Sequence, residues 1–200
     1  TNINLTIIST DKAVEPKNVL GMTKRASEII SLAISSKKSY KSCKISVVRF
    51  GNVFGSAGSA VEIFKNQIQH NLPITLTDIK MKRFFMSIRE ACNLVLQASQ
   101  LNNSGSIFIL KMGKPIMIID MINKIFNMMN SQNQKLKIKI IGKFKSEKII
   151  EKLSNRPLIN TPVKEIGLEK EKVLNSTKIK VFLNDLDEYL NKLEEKNIIN

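Results

Sequence analysis

The chain has 200 residues, 42% of them hydrophobic, with 32 Lys and Arg against 17 Asp and Glu for a formal charge of +15. That is enough apolar material for one ordinary core, and no apolar run reaches the roughly 20 residues that span a bilayer. Trp is absent, aromatics are 6% and the lysines are scattered, so the charge reads as a solvated surface and nucleic acid is not an expected partner.

Residues 4–8, Asn4-Leu5-Thr6-Ile7-Ile8, form the short β-branched run of a buried parallel strand. Its carboxyl end continues into Ser9-Thr10-Asp11-Lys12-Ala13-Val14, which sets hydroxyls, a carboxylate and an amine at a strand-to-helix boundary, where α/β folds do chemistry. Pro16 suits the entry to a helix over about 18–36, whose Val19, Met22, Ala26, Ile29, Ile30 and Ala33 repeat at steps of three and four. A strand over 45–50 and a helix over 60–69 follow, with His70 as a helix-end surface residue lacking the partner a general base needs. Next come a short strand over 73–76, a loop around Lys82, a helix over 88–101 and a turn at Asn102-Asn103-Ser104-Gly105. A strand over 107–110 precedes a helix over 115–129 whose Ile and Met suit a core. A strand over 136–141 and a terminal helix over 180–196, with Val181, Phe182, Leu183, Leu186, Leu190 and Leu193, complete the pattern. Cys43 and Cys92 lie far apart without a partner pattern, which indicates neither a metal site nor a disulfide and fits a reduced, cytoplasmic setting.

The Ser9-Thr10-Asp11-Lys12-Ala13-Val14 stretch resembles the extended short-chain dehydrogenase/reductase family, most closely its nucleotide-sugar 4,6-dehydratase branch in bacterial surface-polysaccharide synthesis. Three later blocks carry the same likeness in order: Val48-Arg49-Phe50-Gly51-Asn52-Val53-Phe54-Gly55-Ser56, Met81-Lys82-Arg83-Phe84-Phe85-Met86-Ser87 and Gly105-Ser106-Ile107-Phe108-Ile109-Leu110-Lys111-Met112-Gly113. The resemblance covers roughly residues 1–130 and implies an α/β fold: a partial Rossmann-like doubly wound parallel sheet, its C-terminal half, with a small α/β substrate domain. Residues 1–130 would then hold the C-terminal part of the NAD-binding and catalytic domain with interleaved substrate-binding segments, and 131–200 a degenerate remainder of the substrate domain plus a C-terminal helix.

The dinucleotide fingerprint Gly-x-Gly-x-x-Gly does not occur in these residues. Gly51 to Gly58 has the wrong spacing and reads as a substrate-side turn. The expectation is therefore the C-terminal portion of a longer protein, whose first strand leaves an unpaired edge. NAD would bind only with the N-terminal half, carried on the same or a separate chain. A homo-oligomer stays open, as does membrane association through a preceding region, since some relatives carry N-terminal membrane helices.

Sugar 4,6-dehydration passes a hydride from C4 to NAD, removes the C5 proton and the C6 hydroxyl as water, and returns the hydride at C6. It needs a base near C5 and an acid near the C6 oxygen. The resemblance implies Asp11 as acid, Lys12 as base and Thr10 on the C4 oxygen. Lys24 matches the lysine of the family's Tyr-x-x-x-Lys pair, which binds the nicotinamide ribose, and Leu20 occupies the tyrosine position. One dehydratase branch has Met there. Leu cannot relay a proton, which weakens the runner-up, a UDP-sugar 4-epimerase. Asn52 and Arg83 match positions near the phosphates of the nucleotide sugar, and Arg49 lies in the same block as Asn52. Relatives have arginine where Ala57 and Phe144 stand and proline where Glu62 stands, and of their Arg-Pro-Gly-Glu-Lys only Glu147 and Lys148 remain. These departures keep a third alternative in play, a catalytically silent remnant or interaction module.

Overall fold

Strand β1 (Ile3–Thr10) ends in a single 3-10 turn, Asp11–Ala13, and helix α1 (Val19–Ser35) follows, capped by Asn18, whose Oδ1 accepts the Gly21 N–H at 2.8 Å. The computed structural model describes residues 3–40, 42–56, 58–101, 104–129, 135–171 and 176–195. Strand β2 (Cys43–Phe50) returns parallel to β1, pairing Ile3 with Cys43 through Thr10 with Phe50. After β3 (Asn52–Phe54) come α2 (Ala60–Gln69), β4 (Ile74–Leu76), β5 (Lys82–Arg83), β6 (Phe85–Ser87) and α3 (Ile88–Gln100), the last opened by a reciprocal Ser87–Glu90 capping box. Then follow β7 (Ile107–Leu110), β8 (Ile116–Met117), α4 (Ile118–Met129), β9 (Ile138–Ile140), β10 (Ile159–Asn160), β11 (Ile166–Glu169) and α5 (Ser176–Glu195).

The main sheet has the order β1-β2-β7-β11-β10, with β1, β2 and β7 parallel and β11 and β10 antiparallel. Its central strands are apolar on both faces because helices cover both. Leu32 of α1 packs with Val47, Ile107 and Ile109 on one face, and Ala91 and Ala98 of α3 pack with Val48, Phe108 and Leu110 on the other. A second core joins Phe64 and Ile68 of α2, Ile74 and Leu76 of β4, and Ile118, Met121 and Ile122 of α4. Residues 135–171 serve both bodies: β9 pairs with β4 in the smaller one, while β11 lies against β7 in the main sheet.

Strand β1 pairs only with β2 among the described residues and so forms an edge of the sheet, along which Ile3, Leu5 and Ile8 are exposed. The apolar stripe expected on the first helix needs correction. Val19 and Met22 are exposed, whereas the buried face carries Gly21, Glu28, Ser31, Leu32 and Ala33. That face is partly polar because Glu28 meets an arginine of the sheet, described below. Strands β3, β5, β6, β8, β10 and β11 were not anticipated, and the last helix begins at Ser176 rather than near 180. Ala57, Asn102, Asn103 and the side chains of Leu186, Leu190 and Leu193 lie outside the described residues.

Candidate active site

The carboxyl ends of β1 and β2 are adjacent because the strands are parallel neighbours, and this brings residues 10–12 to Asn52. The Thr10 hydroxyl donates to Asp11 Oδ1 at 2.9 Å and accepts from the Lys12 N–H at 3.4 Å. Lys12 Nζ donates to Asp11 Oδ1 at 3.0 Å and to Asn52 Oδ1 at 3.3 Å. Asn52 is itself fixed, its Nδ2 donating to Phe84 O at 3.2 Å. Asp11 is 0% exposed, and its Oδ2 has no hydrogen-bond partner. An orphaned carboxylate oxygen in such a place is costly to keep. The turn is also packed tightly from behind: a Cβ on Gly21 would lie 2.3 Å from Lys12 O, so only glycine lets α1 approach.

Lys12 opens onto a cleft of about 640 Å³ between the two cores, within the range of small-molecule sites. Thr10, Lys12, Leu20 and Asn52 come from the sheet side, and Phe64, Leu76, Phe85 and Ile118 form an apolar wall opposite. Gly51, Ser56 and Gly58, from the turn read as substrate-side, also line it. Arg83 and Glu147 stand in the lining too. Arg83 Nη1 donates to Lys82 O at 2.8 Å and Ile149 O at 3.0 Å, and its Nη2 lies 3.8 Å from Glu147 Oε1. Glu147 Oε2 and Ser59 Oγ are buried without partners. Phe144 is exposed and outside the lining. Lys24 is outside it as well, its Nζ donating to Ile8 O at 3.3 Å on the open strand. His70 is exposed at the end of α2, with Nδ1 2.9 Å from Asn66 O.

Arg49 is the expected binding residue that the structure moves elsewhere. It is 2% exposed and lines a separate cavity with Arg25 and Glu169. Its Nε and Nη2 engage Glu28 at 3.0 and 2.8 Å, and its Nη1 lies 3.2 Å from Glu169. Glu28 also accepts from the Ser9 hydroxyl at 2.6 Å and from Arg25 at 2.9 Å, and Arg25 continues to Glu171. Burial pushes the Glu28 carboxyl up, but Arg49, Ser9 and Arg25 more than offset this and hold it below the ordinary carboxylate value. Strand parity could have revealed the placement, since Arg49 shares a face with Val47, toward α1, and not with Val48. The carboxylate partners could not be read from spacing.

Residues 2–166 match the family model described as polysaccharide biosynthesis protein. The chain belongs to the polysaccharide biosynthesis protein family. Capsular polysaccharide biosynthesis protein CapD of Staphylococcus aureus is 43% identical over 150 residues, which are 75% of this chain and 25% of CapD. UDP-glucose 4-epimerase of Rickettsia rickettsii is 36% identical over 148 residues, 74% of this chain and 42% of that protein. The X-ray structure of Pen from Bacillus thuringiensis matches with a TM-score of 0.75 at 30% identity, covering 85% of this chain and 54% of Pen. Solved structures of NAD-bound nucleotide-sugar dehydratases and epimerases at 13–16% identity share this chain's Rossmann-like fold. The chain thus spans a quarter of CapD and about half of Pen. Among the described residues of this family member, no helix is long and apolar enough to cross a membrane and no side-chain cluster could hold a metal ion.

Proposed function

We propose that this chain carries the sugar-binding and proton-transfer part of an NAD-dependent nucleotide-sugar 4,6-dehydratase, acting on a UDP-N-acetylhexosamine in polysaccharide biosynthesis. The observation that carries it is the Lys12 amine held between Asp11 and Asn52 at the cleft, with the Thr10 hydroxyl beside them. The proton count of the elimination closes on that pair, and the proton that C4 oxidation frees from the sugar hydroxyl matches the solvent-exchanged one that C5 takes up from Lys12 when hydride returns at C6. One proton moved along the 3.0 Å contact from ammonium to carboxylate leaves a neutral amine and a carboxylic acid. Lys12 then takes the C5 proton, Asp11 protonates the departing C6 oxygen, water leaves, and the ion pair is restored. On this reading the Thr10 hydroxyl hydrogen-bonds the C4 oxygen.

When bound, NAD would supply the reversible hydride acceptor that oxidation at C4 and reduction at C6 require. Of this chain's residues, Lys24 fits the ribose: among the described residues its ammonium meets a backbone carbonyl on the open strand and no carboxylate. No Gly-rich pyrophosphate-binding turn occurs within these 200 residues, and on this reading a dinucleotide-binding half supplies it. A second reading, C4 epimerisation, is favoured by the 36% identity to a UDP-glucose 4-epimerase. Leu20 at the cleft weighs against it, since it offers no phenol to deprotonate a hydroxyl.

The test joins this chain to a dinucleotide-binding half that carries a Gly-x-Gly-x-x-Gly turn and supplies NAD and UDP-N-acetylglucosamine in deuterium oxide. Dehydration gives a 4-keto-6-deoxy sugar, one water lighter, labelled at C5. Inversion at C4 without water loss replaces this reading with the epimerase, and recovery of neither product refutes both.

A further inference from the structure

The cleft uses Glu147 of the surviving Glu147-Lys148 pair and leaves Lys148 unexplained. Lys148 reaches the catalytic turn instead. Its side chain is 11% exposed, and its ammonium donates to the Val14 carbonyl and lies 3.2 Å from buried Glu151. Val14 closes the 3-10 turn, its N–H donating to Asp11 O at 3.1 Å. The next residue, Glu15, has φ of +49° and is followed by Pro16. A left-handed glutamate is strained, and a following proline pulls it toward extended backbone. Lys152 of the same segment meets the Glu15 carboxylate at 3.3 Å, an exposed pair, so two lysines of one segment contact consecutive residues of the strained peptide.

That segment is anchored to the cleft as well: the Lys82 N–H and Arg83 Nη1 donate to Ile149 O at 2.8 and 3.0 Å. Of the bonds that shape the turn itself, Val14 N–H to Asp11 O is of ordinary length at 3.1 Å, while Lys12 N–H to Thr10 Oγ1 is long at 3.4 Å and weak for that reason. We infer that Lys148 is a positioning residue for the proposed dehydration. By holding the Val14 carbonyl it keeps the strained turn in the shape that sets Lys12 Nζ between Asp11 and Asn52. The kinetic part of this inference rests on the functional reading above; the structural part does not.

Hydrogen exchange on the 200-residue chain separates the two. Lys148→Met should speed exchange of the Lys12 and Val14 amides roughly tenfold while leaving β7 protected, because local opening is released and the core is not. Lys148→Arg should keep both amides protected, since a guanidinium can serve Val14 and Glu151 together. Adding Glu15→Gly to Lys148→Met should restore protection, because glycine holds a positive φ without strain. If Lys148→Met alone does not fold, recovery of the fold in that double variant supports the clamp and continued failure refutes it. In the chain joined to a dinucleotide-binding half, Lys148→Met should lower kcat for water loss about ten- to hundredfold, with KM for the UDP-sugar within about threefold. Unchanged exchange in Lys148→Met, exchange raised evenly across the sheet, or an effect on KM alone overturns the inference. Absence of both keto sugar and epimer from the parent protein sinks the functional reading, and the exchange data still decide the clamp.

Discussion

Arg49→Met should destabilise the fold severely, and the size follows from what it leaves behind. The substitution keeps most of the side-chain volume but removes three contacts to carboxylates, at 2.8, 3.0 and 3.2 Å, and a fourth at 3.3 Å to Leu153 O. Glu28, 0% exposed, keeps only Arg25 and Ser9, and Glu169 keeps Ser154. Breaking a buried ion pair from one side costs about 3–5 kcal/mol, because the remaining charge stays out of water. For a chain of this size that is a fall in Tm of roughly 6–20 °C. Urea denaturation followed by circular dichroism at neutral pH measures it. Adding Glu28→Gln should recover part of the loss, with a coupling of about 1–3 kcal/mol, since the orphaned charge is then gone. A phosphate-binding arginine would behave in the opposite way, with stability changed by less than about 1 kcal/mol and nucleotide-sugar affinity lost. An unshifted denaturation midpoint in Arg49→Met would refute the reasoning.

The same cluster sets a pH dependence. The folded Glu28 carboxyl is held below its ordinary value, so its contribution is complete above the unfolded value of about 4.3 and disappears as pH falls through the lower folded one; denaturation midpoints from pH 7 down to 3 should drop in wild type and more shallowly in Glu28→Gln. In the joined enzyme, Lys12→Ala should cut water loss and C5 exchange by about 10² to 10⁴ with nucleotide-sugar binding retained, as expected for removal of a general base, and retention of C5 exchange would count against the assignment. Binding of the chain to random duplex DNA, driven only by scattered lysines, should fall steeply between about 50 and 200 mM salt, as non-specific phosphate contacts do, and sequence-selective binding at the higher salt would contradict it. Calorimetry on the chain alone should find NAD affinity no tighter than about 100 μM, since helix-terminus and backbone contacts to the pyrophosphate are not supplied; micromolar one-to-one binding would overturn the division of labour between halves.

Elements with strong internal periodicity were legible. The helix expected over 60–69 is Ala60–Gln69, and the strand over 107–110 is Ile107–Leu110. The missed strands are two to four residues long and owe their form to a partner's backbone rather than to their own residues. β11 shows why: Ile166-Gly167-Leu168-Glu169 has glycine and glutamate in a buried strand, tolerable because Leu158 fills the space beside Gly167 and Arg49 meets Glu169. Neither fact is visible in the segment itself. The first helix misled for a related reason, since its buried face includes a glutamate whose arginine lies 21 residues away.

The site divides along the same line. Thr10, Asp11 and Lys12 are contiguous, and Asn52 follows the neighbouring strand, so parallel pairing was enough to unite them. The anion wall depends on longer reach, and there the structure is sparse: Arg83 spends Nη1 on two backbone carbonyls and faces Glu147, while Phe144 is exposed beyond the cleft. On the proposed reading, a Lys12–Asp11 pair already in contact beside so few free cations among the described residues argues for weakened substrate capture more than for lost chemistry. The net charge of +15 works against that weakness, because a positive field raises the local concentration of an anionic nucleotide sugar without any single contact. On this argument raising salt should increase KM and leave kcat for water loss nearly unchanged. A kcat that falls with salt would place the deficit in the Lys12–Asp11 pair instead.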